Sequence, residues 1–282
     1  MRPSPGIRIA PTTALVLPAV GLLLIALVIP MLGVLSRSVL DPTPTLENYE
    51  TLLRVPAYTK VLLNTFRIAL IVTVACAALG YVVAYQLAHA RGFAFRLLLI
   101  AVVLPLWTTE LVRVFSWTII LARQGPVNRA LQAVGVLDQP ATLLFNEAGV
   151  LIGAVHVMLP FMILPLYSVM RGIDPNLGAA AQSLGATPWR SFVHVYLPLS
   201  FPGLVAGALL VFVLSIGFFI VPALLGGPEQ TMIANLIENQ VRRALNWGFA
   251  AALAMELLVA TTIILIVYWK AVGLSRIGII RD

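Results

Sequence analysis

Four ionisable side chains lie inside long apolar runs: Arg67, Glu110, Arg113 and Glu256. Charges at that depth in hydrocarbon are costly, and they face a cavity, a partner or a route for solute. Glu110 and Arg113 are three residues apart, a helical spacing at which they can neutralise each other. Glu110 also has Trp107 and Trp117 close by in sequence. A carboxylate attracts an ammonium group and an aromatic face adds cation–π attraction, so the grouping suits passage of an organic cation. Glu256 stands alone on its run and is the sharper candidate for the same work. Arg67 lies near one end of its run, where the side chain can snorkel to the headgroups.

Residues for covalent or metal chemistry are missing from the sequence. A phosphate-binding loop needs glycines for close backbone approach and a lysine for the phosphates. The only lysines are Lys60 and Lys270, and neither follows a glycine-rich turn. His89, His156 and His194 are far apart and lack metal-ligand spacing, and there is no HExxH or GxSxG. Each histidine reads as structural or interfacial. Cys76, the single cysteine, cannot form an internal disulfide and reads as a small buried hydrophobe. The chain is expected to bind no cofactor or metal and to be no enzyme.

The elements that must position these residues follow from composition. Of 282 residues, 60% are hydrophobic and 10% charged, against about 25% charged in an average soluble domain. So few charges cannot cover a water-soluble fold, whereas a bilayer accepts apolar side chains on the outer surface. The net charge of +7 comes from basic residues scattered singly near the ends of apolar runs. That pattern fits membrane orientation, with no nucleic-acid patch. Six stretches are long enough to cross about 30 Å of hydrocarbon as helices: 14–36, 61–88, 97–120, 148–170, 203–225 and 247–272. The expected fold is all-α and polytopic, with a tail at 1–13, one membrane domain over 14–272 and a tail at 273–282.

The first run follows Arg2 and Arg8 as a cleaved leader would. It is longer than the usual leader core of about 7–15 residues, and a retained first helix is expected. With the N-terminus inside, the inner segments hold Arg2, Arg8, Arg91, Arg96, Arg171, Arg190, Lys270, Arg276 and Arg281. The outer ones hold Arg37, Arg54, Lys60, Arg123, Arg129, Arg242 and Arg243. That small inward excess places both termini in the cytoplasm. Two outer loops carry helical spacing of their own: 45–55, with Leu46, Tyr49, Leu52 and Leu53, and 126–136, starting at Pro126. Both are expected to be short amphipathic helices.

The inner loop 171–203 carries two helix starts in a row. Asp174-Pro175 is an N-cap followed by proline at the first helical position. That helix would end at Gly185, a residue suited to a left-handed C-terminal cap. Thr187-Pro188 starts a second helix, carrying Trp189, Phe192, Val193 and Tyr196 and ending before Leu197-Pro198. Two spans can be joined by far fewer residues. The pair reads either as a knob for a partner's groove or as an interfacial helix resting on lipid.

The stretch AAAQSLGATPWRSFVHVYLPLSFPG resembles the EAA loop of ABC importer permeases, with matches at Ala180, Ala181, Gly185, Ala186, Phe192, Leu197, Pro198, Leu199 and Pro202. The resemblance implies that 171–202 is the coupling loop that plugs into an ATP-binding subunit. Ala180, Ala181, Leu184, Gly185, Ala186, Trp189, Phe192 and Pro198 are its expected residues. The family's glutamate falls at Ala179 here, which removes a charged contact and leaves docking to shape and apolar surface. The segments at 104–117, 155–175 and 215–228 resemble the spermidine/putrescine branch, and within it the first permease subunit.

What the resemblance implies is a type I permease that translocates a small solute, a polyamine first, across the inner membrane. Other solutes served by such permeases are an opine, an amino-acid-like compound, a metal or a phosphonate. The implied partners are a second homologous permease, two ATP-binding subunits that use ATP and Mg, and a periplasmic or extracellular solute-binding protein. Two rivals fit less well. An ion-driven secondary transporter needs no docking loop and often shows an internal repeat, and none is visible. An intramembrane enzyme needs a convergent nucleophile–base or metal set.

Overall fold

A computed structural model describes residues 11–41 and 43–272, and every regular element among them is helical. In chain order these are α1 (Pro11–Leu40), α2 (Glu47–Arg54), α3 (Pro56–His89) and α4 (Gly92–Val103). A 3₁₀ turn at Leu104–Trp107 leads to α5 (Glu110–Ile120), α6 (Pro126–Ala133), α7 (Glu147–Arg171), α8 (Asn176–Ser183) and α9 (Pro188–Ser191). A π-turn at Phe192–Tyr196 joins α9 to α10 (Leu197–Ile216), followed by α11 (Ile220–Leu225), α12 (Ile233–Asn239) and α13 (Trp247–Val272). Among the described residues five helices are long and apolar enough to cross a membrane, and a bent pair brings the number to six where it counts as one span. The expected short outer helices are present as α2 and α6. The expected tail at 273–282, residues 1–10 of the expected N-terminal tail, and Arg2, Arg8, Arg276 and Arg281 lie outside the described residues.

The chain divides into two compact units, one made of the residues up to Val55 with Ile237–Glu256, the other of Pro56–Leu236 with the residues from Leu257 on. In the first unit, Ser38 Oγ and the Tyr49 hydroxyl share a hydrogen bond of 2.7 Å. Asn48 Nδ2 donates to the Ser38 carbonyl at 3.1 Å, and the Arg37 guanidinium lies 5.6 Å from the centre of the Trp247 ring. Leu22, Leu23 and Leu27 of α1 are exposed, a surface that a helix apolar on all sides buries in lipid.

The second unit is built on α3, α7 and α10. Ile68, Val72, Cys76 and Ala84 of α3 pack with Ala154, Met158, Met162, Ile163 and Leu166 of α7 and Val211 of α10, all buried. Lipid is as apolar as leucine, so close van der Waals packing over small residues holds such helices together. A Cβ added to Gly80 would come 2.8 Å from Met162 Cγ. At one end of the bundle, Arg67 pairs with Glu147 at 2.7 Å and the Ile233 amide donates to Thr65 Oγ1 at 3.0 Å. In the loop between α5 and α7, the buried Asn128 side chain bonds Ala122 and Ala141, accepting from the latter's amide at 2.9 Å.

Two spans depart from the expected continuous helices. The run 97–120 breaks at Thr108-Thr109, where the helical axis turns by 104°. Both threonines are extended; β-branched residues favour that conformation, and Pro105 in the preceding turn has no N–H to continue a ladder. The run 203–225 is cut at Gly217, among the poorest helix formers. The Phe219 carbonyl starts the next helix by accepting from the Ala223 amide at 3.2 Å and also accepts from Asn235 Nδ2 at 2.9 Å. The fifth crossing is instead Pro188–Ile216. It includes the second loop helix, which does not end before Leu197-Pro198 as expected. The π-turn at Phe192–Tyr196 widens the helix just before Pro198, relieving the clash between a proline ring and the carbonyl four residues back.

Candidate functional site

The inner loop is a helix–turn–helix with both ends capped. The Asp174 carboxylate accepts from the Asn176 amide at 2.9 Å, one residue ahead of the observed cap: Pro175, expected at the first helical position, is the N-cap of α8. Gly185 has φ +90°, a conformation that costs any other residue about 1–2 kcal/mol. Its amide bonds the Gln182 carbonyl at 2.9 Å and the Ala186 amide bonds the Ala181 carbonyl at 3.1 Å, the paired pattern that ends a helix on a left-handed residue. The Thr187 hydroxyl accepts from the Arg190 amide at 3.3 Å and starts α9 behind Pro188. Ser191 Oγ donates to the Gly178 carbonyl at 3.3 Å, tying α9 to α8.

The expected coupling residues divide into two groups. Leu184 is 90% and Trp189 71% exposed, and Ala179 and Ala180 are exposed beside them. Ala181 and Ala186 are half-buried, and with Leu184, Gly185, Arg190 and His194 they line a shallow hollow. Phe192 and Pro198 do different work. Phe192 turns inward, with its ring centre 6.1 Å from Tyr81, 5.9 Å from Tyr85 and 5.9 Å from Tyr196. Tyr81 hydrogen-bonds Ser200 at 2.8 Å. This aromatic cluster clamps the loop and the start of α10 onto α3, and Pro198 sits in the first turn of α10. The α3 tyrosines were invisible to a motif search; their one sequence signal is the spacing Tyr81, Tyr85, His89 on one helix face.

The four pathway candidates are not one constellation. Trp107 stands at the elbow before the break, 86% exposed. Glu110 opens α5, where the helix N-terminus favours a carboxylate. Trp117 lies two turns further along and donates its indole N–H to His156 Nδ1 at 3.1 Å, joining α5 to α7. The expected Glu110–Arg113 contact is not among the ion pairs of the described residues, although the two are in electrostatic range. Arg113 buries Nε and Nη1 with no hydrogen-bond partner. Glu256, on α13 in the other compact unit, likewise buries Oε2 without a partner. Arg67 is held by Glu147 rather than reaching free for headgroups. His156, read from sequence as structural or interfacial, joins two helices through its bond from Trp117. Nothing in its spacing pointed to Trp117.

Similarity to known proteins converges with this architecture. The family described as binding-protein-dependent transport system inner membrane component matches residues 11–272. The chain is 40% identical over 227 residues to the spermidine/putrescine transport system permease protein PotB of Escherichia coli K12, covering 80% of this chain and 82% of that one. It is 35% identical over 226 residues to the E. coli K12 inner membrane ABC transporter permease protein YdcU, covering 76% and 72%. Among solved structures, a bacterial ABC transporter involved in import of the acidic polysaccharide alginate superposes with TM-score 0.75 over 92% of this chain and 94% of that one, at 18% identity, a likeness of fold. Apolar crossing helices and a capped helical loop thus belong to a chain with relatives along most of its length: it is a member of the binding-protein-dependent transport system inner membrane component family, the permease subunits of ABC importers.

Proposed function

We propose that this permease carries a polyamine of the spermidine/putrescine class inward, driven by ATP hydrolysed on a separate chain. The observation that carries the reading is the 40% identity to a spermidine/putrescine permease over 80% of the chain. The residue types in the apolar spans support it. Glu110 and Glu256 supply carboxylates for ammonium groups, and Trp107 and Trp117 supply aromatic faces for cation–π contact.

The loop 171–202 docks on the ATP-binding subunit through Leu184, Trp189, Ala180, Ala181 and Ala186. The exposure of Leu184 and Trp189 supports this, and so does the rigid double cap around Gly185. With Ala179 in place of an acidic residue, the docking is apolar and set by shape. The full transporter then contains a second permease, two ATP-binding subunits that hold ATP and Mg, and an external solute-binding protein. This chain binds no nucleotide and catalyses no bond cleavage, and both its termini face the cytoplasm. Closure of the ATPase pair pulls on the docked loop. Because Phe192 and Tyr196 clamp that loop to Tyr81 and Tyr85, the pull reaches α3 and α10 together and reorients the cavity.

The test is the ATPase activity of the assembled complex in lipid, with and without binding protein loaded with spermidine or putrescine. Stimulation by the loaded protein, lost in Gly185→Trp, is the expected result. Coupled ATPase activity that no polyamine enhances would reject the polyamine and keep the permease.

A further inference from the structure

Arg113 stands out among the arginines of the described residues. Arg67 is paired with a carboxylate at 2.7 Å, and Arg171 donates to the Tyr167 hydroxyl at 2.7 Å and lies 5.9 Å from the Phe95 ring. Arg113, one turn into α5, buries Nε and Nη1, and neither has an acceptor among the described residues. Buried N–H groups left without an acceptor are costly, and a structural arginine has that cost offset by a contact. Its charge closes no ion pair among the described residues and acts through space. Two groups lie in its electrostatic reach, Glu110 on the same helix and His156 on α7. The bond from Trp117 to His156 holds these two helices face to face.

We propose that Arg113 is a positioning residue that acts through Glu110. Its uncontacted positive charge, one helical turn away, weakens the carboxylate's grip on a cationic solute, so that the solute is passed on rather than retained. A permease must release what it is given. A carboxylate with no opposing charge near it in a low-dielectric span would trap a multivalent cation. Residues three apart on a helix have Cβ atoms about 5–6 Å apart. At that distance, with an effective dielectric constant of about 20, two unit charges interact strongly enough to change an affinity tenfold or more. Arg113 supplies this opposing charge without occupying the acceptor itself. The inference rests on Glu110 being a step of the solute path.

The experiment is equilibrium binding of radiolabelled spermidine to the assembled transporter in nanodiscs without binding protein, alongside uptake by the same complexes in proteoliposomes. Arg113→Gln is expected to bind spermidine about tenfold more tightly than wild type and to take it up more slowly. Arg113→Lys keeps the charge and is expected to restore both values. A merely structural role would lower assembly or uptake without tightening binding. Arg113→Gln that assembles and binds no more tightly than wild type, including the case in which neither binds measurably, overturns the inference. Glu110→Gln tests the underlying reading separately. If it leaves binding and uptake unchanged, Glu110 is not on the path, whereas loss of binding there with no tightening in Arg113→Gln removes only the role of Arg113. If Arg113→Gln fails to assemble, Arg113→Lys and Arg113→Met are read on the same two measurements, and tightening in the methionine variant alone is the result expected.

Discussion

Gly207 of α10 and Met162 of α7 meet so closely that a Cβ on the glycine would lie 2.8 Å from the methionine sulfur and 3.0 Å from the methionine carbonyl oxygen. On the other side of Met162, a Cβ on Gly80 would meet only its side chain, at 2.8 and 3.3 Å. The two glycines therefore predict different rescues. Either glycine changed to alanine overpacks the α3–α7–α10 core, at a cost of about 1–3 kcal/mol. Met162→Ala leaves a cavity and costs stability by itself, but in a double-mutant cycle it relieves most of the clash of Gly80→Ala, because the nearest atom, Met162 Cγ at 2.8 Å, is removed. It relieves less in Gly207→Ala, because a backbone carbonyl remains in the way. Equal rescue of the two variants in a melting experiment would contradict this packing.

The Arg67–Glu147 pair joins the start of α7 to α3 across 2.7 Å, with side chains 54% and 35% exposed. Partly exposed ion pairs contribute about 0–1 kcal/mol. Arg67→Ala should lower the melting temperature of the purified complex only slightly. Arg67→Glu should lower it further through repulsion, and the swap with Glu147→Arg should recover most of the loss. A large effect of Arg67→Ala, unrelieved by the swap, would show that Arg67 does other work.

Leu184 is 90% exposed, so Leu184→Ala removes almost no packing within this chain. Substitutions at such surfaces change stability by about 0.5 kcal/mol or less. The expected outcome is normal expression and melting of the permease, weaker capture of the ATP-binding subunit and a several-fold loss of coupled ATPase activity. Full coupling in Leu184→Ala would move the docking surface elsewhere on the loop.

Glu256 buries one carboxylate oxygen without a partner. Glu256→Gln keeps the shape and removes the charge. Uptake is expected to fall several-fold while the complex assembles normally, as judged by size-exclusion chromatography. Unchanged uptake by a well-assembled Glu256→Gln complex would remove this residue from the path.

Much of the inner loop was legible because its determinants are local. Asp174, Gly185, Thr187 and Pro188 act on backbone groups within four residues, so capping rules alone place both helix starts and the left-handed stop. The joint to α10 was not legible. Proline at 198 reads as a terminator in isolation, and only the packing of Phe192 and Tyr196 against Tyr81 and Tyr85 holds a widened turn that lets the helix continue. The elbow at Thr108-Thr109 was hidden for a similar reason. Hydropathy is blind to direction, and the run 97–120 is apolar throughout whether or not its axis turns.

By itself the sequence determined the membrane class, the approximate places of the crossings, the absence of a phosphate-binding loop and the helical loop with its caps. Each depends on composition or on short-range spacing. Tertiary structure alone decided which charges meet. Arg67 found Glu147 eighty residues away, Trp117 found His156 on another helix, and Arg113 did not close on Glu110 despite its favourable spacing. A helical spacing sets which side chains can touch. Whether they do depends on which rotamer the neighbouring helices leave room for, and that information is spread over the whole packed bundle.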